Sequence, residues 1–155
     1  MRLFISYSTG DLKIVKQIAD AMRPHAAVFY WDKDKEPGKA AWQTIFGWID
    51  AADIVVAVIT DKTVSRAMLV GQEIGRAKAN RKMIIPLVAR GIPDSDLGCL
   101  AGITYLRISK NTVPAAIEEL ECIIEETKIK RADAQTKFWI GLGVIVLIAA
   151  AFGEK

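Results

Sequence analysis

Ile54–Thr60, IVVAVIT, is apolar on both of the faces that a strand would present, and mostly β-branched. A strand wet on one side alternates apolar with polar residues, whereas a central strand of a parallel sheet has helices over both faces and reads as a continuous apolar run. The stretch is therefore expected to sit in the middle of an open parallel sheet. Upstream, Leu3–Tyr7 (LFISY) is a second short apolar run, closed by a Ser-Thr-Gly-Asp cluster in which Ser8 or Asp11 is placed to cap a helix. Leu12, Val15, Ala19 and Met22 follow at helical spacing until Pro24, and Ala27–Trp31 (AVFYW) reads as another strand. Trp42, Ile45, Phe46 and Ile49 form the next apolar stripe, and Trp48 falls off it, as if left over for a partner.

Downstream, KMIIPLVA and ITYLRIS supply two further strands, separated by helical segments and by the loop GIPDSDLG. Strand and helix alternate five times, the pattern of an open α/β sheet of five parallel strands. Such sheets bind ligands outside the carboxyl ends of their strands. Ser6, Tyr7, Ser8, the charged loop after Trp31 and the segment after Thr60 would converge there. The last helix of the domain is expected to begin near Pro114, with Asn111 or Thr112 upstream for capping and Glu118, Glu119, Glu121, Glu125 and Glu126 on its wet side.

Composition removes several function classes. At 155 residues the chain holds one domain plus something extra. Its net charge of +3 is spread among acidic residues, unlike the dense basic face of a nucleic-acid binder. Cys99 and Cys122 have neither disulfide-framework nor metal-ligand spacing, which fits a reducing cytoplasm. The lone His25 lies in a turn before a strand, so histidine triads and His-rich metal centres are not supported.

The C-terminal part changes character. Lys128, Lys130, Arg131 and Lys137 precede Phe138–Phe152, a run without charge. About 20 apolar residues normally span the ~30 Å core of a bilayer, and this run is shorter. It reads as a short tail anchor in a thinned bilayer, with a helix buried in an oligomer and an ordinary core helix as the alternatives. The basic residues and Trp139 favour the anchor, with the domain expected on the cytoplasmic side of the membrane. The organisation expected is thus a folded domain at 1–127, a basic juxtamembrane segment at 128–137 and a hydrophobic, transmembrane helix at 138–153. The Gly-x-Gly of IGLGVIV has no strand before it and is no dinucleotide fingerprint; its glycines suit close helix packing.

LFISYS at residues 3–8, DKDKEPG at 32–38, DAADIVVAVIT at 50–60 and SRAMLVGQEIGRAKANRKMIIPL at 65–87 together resemble a Toll/interleukin-1 receptor (TIR) domain of the bacterial or archaeal kind, over Met1 to Thr127. The resemblance implies a flavodoxin-like sheet and two possible roles, an enzyme that cleaves NAD+ after self-assembly or a non-catalytic adaptor anchored at a membrane. For the enzyme it implies Glu73 as the catalytic carboxylate, in a pattern running from Ser65, with Leu69 where the family usually has tryptophan. It also implies a substrate pocket formed with Phe4, Ser6, Tyr7, Ser8, Trp31, Lys35 and Ser65. Asp34, Glu36, Pro37 and Gly38, with Trp48, would form the assembly surface, Pro37-Gly38 fixing its turn. NAD+ would be substrate rather than cofactor, no metal would take part, and the partners would be further copies of the chain in an oligomer or filament, a membrane and an effector protein, in prokaryotic antiphage defence.

From the residues alone, Glu73 borders the stripe of Val70, Ile74 and Ala77, and spacing favours a surface residue paired with Arg76. Breaking the bond between ribose and nicotinamide develops positive charge on the ribose, which a fixed carboxylate stabilises. The leaving group is already cationic, so no strong general acid is needed. A phosphoacceptor domain of the same topology would need an aspartate at the end of the third strand, where this chain has Ile59-Thr60.

Overall fold

The computed structural model describes the backbone of residues 1–32, 41–64, 67–109 and 112–152, and of these the side chains as far as residue 134, those at 64 and 67 excepted. Five strands, β1 (Arg2–Ser6), β2 (Ala27–Phe29), β3 (Ile54–Ile59), β4 (Met83–Ala89) and β5 (Leu106–Ile108), form one parallel sheet in the order β2-β1-β3-β4-β5. The connecting helices are α1 (Leu12–Met22), α2 (Ala41–Ala51), α3 (Asp61–Val64), α4 (Ala67–Ala79) and α5 (Val113–Phe152), with 3-10 turns at Thr9–Asp11 and Asp94–Leu100.

All six residues of β3 are buried, as its two-faced apolar sequence requires. Successive side chains alternate between the faces. Val55 therefore joins Phe4 of β1, Ile45 and Ile49 of α2 and Ala77 of α4 in one core cluster. Ala57 and Ile59 continue the same face into a second cluster with Val70 and Ile74 of α4, Val88 of β4 and Leu97 and Leu100. The period of two also brings Ser6, two residues beyond Phe4, onto the face that α4 covers. Pro86 lies where β4 pairs with β3 alone, one residue before the pairing with β5 begins, so its missing N–H is tolerated.

Three local expectations are corrected. The second strand ends at Phe29, and Tyr30 and Trp31 belong to the segment that leaves it. GIPDSDLG leads into a 3-10 turn broken at Gly98, whose φ of +50° glycine adopts without a steric penalty. Trp48 is not left over: it is half-buried, and its ring packs against Phe4, Phe29 and Trp31 at centroid distances of 6.5, 5.9 and 6.1 Å. On the wheel Trp48 lies about 60° from Ile45, so turning α2 slightly toward the aromatic residues of β1 and β2 buries Trp48 and brings Trp42 to the surface.

Residues Met1–Glu119 and Leu120–Lys155 form two compact units. The second is the continuation of α5, with surface pairs Lys128–Glu125 at 2.7 Å and Lys130–Glu126 at 3.5 Å. The side chains of the expected membrane segment at 138–153 lie outside the described residues; among the described residues no helix is long and apolar enough to cross a membrane.

Candidate active site

In the order β2-β1-β3-β4-β5 the chain reverses direction across the sheet between β1 and β3, and a crevice opens beyond their carboxyl ends. Ser6 ends β1 there, with its side chain toward α4. Its Oγ donates to Glu73 Oε2 at 2.5 Å, joining residues 67 apart in sequence. Glu73 is only 8% exposed, on the buried face of α4 beside Val70 and Ile74. Loss of water raises its carboxyl to about 7, and the Ser6 hydroxyl, which favours the ionised form, opposes that rise.

The alternative pairing of Glu73 with Arg76 is not formed. Arg76 Nε and Nη2 bind both carboxylate oxygens of Asp50, on α2, at 2.8 and 2.5 Å, and Asn80 Nδ2 donates to the same carboxylate at 2.6 Å. Hydrogen bonds from Arg76 hold the Asp50 carboxyl below its usual range. The guanidinium also lies 4.6 Å over the Phe46 ring. Arg76 thus clamps α4 to α2 and is not the partner of Glu73.

Glu73 lines a cavity of about 200 Å³ whose other walls are mainly apolar. Phe4, Ile5, Tyr7, Ser8 and Thr9 contribute from β1 and the turn after it, Trp31 from beyond β2, Ala41, Trp42 and Ile45 from α2, and Leu69 and Val70 from α4. Tyr7 donates its hydroxyl to the Trp31 carbonyl, tying the segment after β2 to the end of β1. Burial, with the nearby Asp32, Tyr30 and Glu73, raises the Tyr7 phenol further, so it remains neutral.

Beside the cavity, the ends of β1 and β3 are fastened by a buried polar link. Thr60 Oγ1 donates to Asp11 Oδ2 at 2.7 Å, and Lys62 Nζ lies 3.4 Å from the other carboxylate oxygen while donating to the Gly10 carbonyl at 2.8 Å. Asp11 and Ser8, the expected helix caps, make no side-chain capping bond; the Asp11 carboxylate reaches across to β3 instead. Removing the hydroxyl with Thr60→Val should cost about 1–3 kcal/mol, since it leaves a buried carboxylate short of a donor; denaturant unfolding of the variant checks this.

Of the residues singled out in sequence, the fold brings Phe4, Tyr7, Ser8, Trp31 and Glu73 to one cavity, with Ser6 bonded to Glu73. Trp48 packs behind Phe4 and Trp31 rather than facing outward. Asp34, Lys35, Glu36, Pro37, Gly38 and Ser65 lie outside the described residues. Sequence reasoning missed Trp42, Ile45 and Val70 as walls by assigning them to a helix stripe. Trp42 and Leu69 are 37% and 41% exposed, and burial is the one signal that a helical wheel lacks. Among the described residues no group of three metal-ligating side chains converges.

A family profile described as TIR domain matches residues 3–121. No curated protein sequence matches the chain. Among solved structures, the TIR domain of the Toll-related receptor TRR-2 from Hydra magnipapillata is 19% identical, with a TM-score of 0.62, over 79% of this chain and 97% of that one. The RPS4 and RRS1 TIR domain heterodimer is 14% identical, with a TM-score of 0.58, over 82% and 96%. The CMP N-glycosidase BcmB of Clostridium botulinum is 17% identical, with a TM-score of 0.56, over 78% and 99%. At these identities the likeness is one of fold. With the parallel sheet, its strand order and the match over residues 3–121, the chain belongs to the TIR domain family.

Proposed function

We propose that the protein is a glycosidase that cleaves NAD+ at the bond between ribose and nicotinamide, with Glu73 as its catalytic carboxylate. The observation that carries this reading is one buried carboxylate, oriented by Ser6 Oγ, in the wall of an otherwise largely apolar and aromatic cavity. A preorganised negative charge in a dry cavity is worth far more to an oxocarbenium-like transition state than the same charge in water. A cavity of about 200 Å³ suits a base with its ribose rather than a whole dinucleotide. Phosphates would lie outside it, where Lys35 is proposed to meet them and Ser65 to complete the mouth.

Incubation with NAD+ and chromatography for nicotinamide and the ADP-ribose species tests the activity. Catalysis requires the ionised Glu73, so kcat/KM should rise with pH through about 7 and then level off. Ser6→Ala removes the donor that favours the carboxylate, and should move that midpoint upward by about one pH unit. An unmoved midpoint in the Ser6→Ala profile would mean that the hydroxyl does not set the charge state of Glu73.

A second reading follows from the carboxyl being partly protonated near neutrality: as an acid it could assist departure of a neutral base, the type of bond that the name of the Clostridium enzyme describes. The two separate by sign, since cleavage of a neutral-base nucleotide would fall as pH rises through 7.

Self-association is part of the proposal. TIR domains occur in the RPS4 and RRS1 heterodimer and in the Roq1 resistosome. The loop with Asp34, Glu36, Pro37 and Gly38 is proposed as the contact segment, and the 138–153 segment as a membrane anchor holding the domain on the cytoplasmic side. An effector protein responding to the product, in antiphage defence, completes the proposed setting.

A further inference from the structure

We infer that Trp42 is the aromatic platform on which the departing heteroaromatic ring stacks, and therefore a specificity-determining residue of this cavity; this rests on the reading of the cavity as a nicotinamide nucleotide site. Three observations carry it. First, Trp42 is 37% exposed, whereas Phe4, another aromatic wall, is 1% exposed and committed to the core. Trp31 already packs against Trp48. Of the four aromatic walls, Phe4, Tyr7, Trp31 and Trp42, the last is the most exposed and has the most area to offer a ligand.

Second, its ring is held from behind. The Phe46 ring lies 5.3 Å from it, the Arg76 guanidinium lies 4.6 Å over Phe46, and both carboxylate oxygens of Asp50 fix Arg76. An exposed tryptophan on a mobile side chain would lose rotamer freedom on stacking; one already braced loses less. Third, the chemistry is paired. Trp42 and Glu73 line the same cavity, and both can attract a planar cation there, the indole through its ring quadrupole and the carboxylate through its charge. Leu69, also exposed in this wall, adds apolar area but no π face. A pyridinium ring suits that combination better than a neutral base does.

The test uses 1-methylnicotinamide, a pyridinium cation without ribose or phosphate, titrated at pH 8 into the full chain and into Trp42→Phe, Trp42→Leu and Trp42→Ala. Binding is followed by ligand-observed magnetic resonance, with circular dichroism to check that each variant is folded. Trp42→Ala and Trp42→Leu should both bind about tenfold more weakly than wild type, and Trp42→Phe should recover most of the loss. Leucine keeps the bulk but not the π face, so wild-type affinity in Trp42→Leu would overturn stacking, as would undiminished binding in Trp42→Ala. Failure of the wild type to bind the probe would overturn it too. Wild-type binding that depends on Trp42, in a protein that never releases nicotinamide, would support the platform while removing the proposed activity.

Discussion

Glu73→Gln should release nicotinamide from NAD+ at least about a thousandfold more slowly than wild type, at equal concentration and pH 8. The substitution keeps the shape of the side chain and leaves an oxygen to accept the Ser6 hydroxyl, so the loss isolates the charge. The carboxylate acts mainly on charge that reaches the ribose as the bond breaks, so kcat should fall by far more than KM rises through lost attraction for the pyridinium ring. Initial rates by chromatography measure this. A variant that keeps a tenth or more of the wild-type rate would remove Glu73 from the chemistry.

The same carboxylate should make the wild-type fold less stable as pH rises from about 4.5 to 7. The native group titrates near 7 and the unfolded one near 4.5, so within that window the native state holds the extra proton. Stability must then decline with increasing pH across the window and level off above 7, by an amount on the order of 3 kcal/mol from this group. Glu73→Gln has no proton to lose. Its stability relative to wild type should rise by about that amount between pH 4.5 and 8, read from guanidinium unfolding curves at each pH. A constant difference between the two proteins would mean that the carboxyl titrates as it does in water. Together the two expectations describe a residue that destabilises the fold under the conditions in which it would act.

Much of this architecture is legible in the sequence because the sheet is parallel and covered. IVVAVIT reads as a central strand without reference to any other segment, and the alternation around it leaves few topologies. Glu73 is legible only through resemblance, since spacing alone favours pairing it with Arg76. That choice is decided by Asp50, which lies on a different helix and offers Arg76 two oxygens. The Asp11–Thr60 link joins residues 49 apart, and a local reading makes Asp11 a helix cap because it sees only its own turn. Trp42 and Trp48 exchange roles for a similar reason. An eleven-residue helix with aromatic residues around much of its girth has an ill-defined apolar face, and the rings of Phe4 and Phe29 in the sheet choose it.

The most direct test of the central claim is a time course of the concentrated, full-length wild-type protein with NAD+ at pH 8, analysed by chromatography beside Glu73→Gln. Nicotinamide should accumulate in step with an ADP-ribose product, in the wild type alone. NAD+ remaining intact with folded, self-associated wild-type protein would contradict the claim, and would leave the domain as an interaction module whose buried carboxylate serves only to bind Ser6.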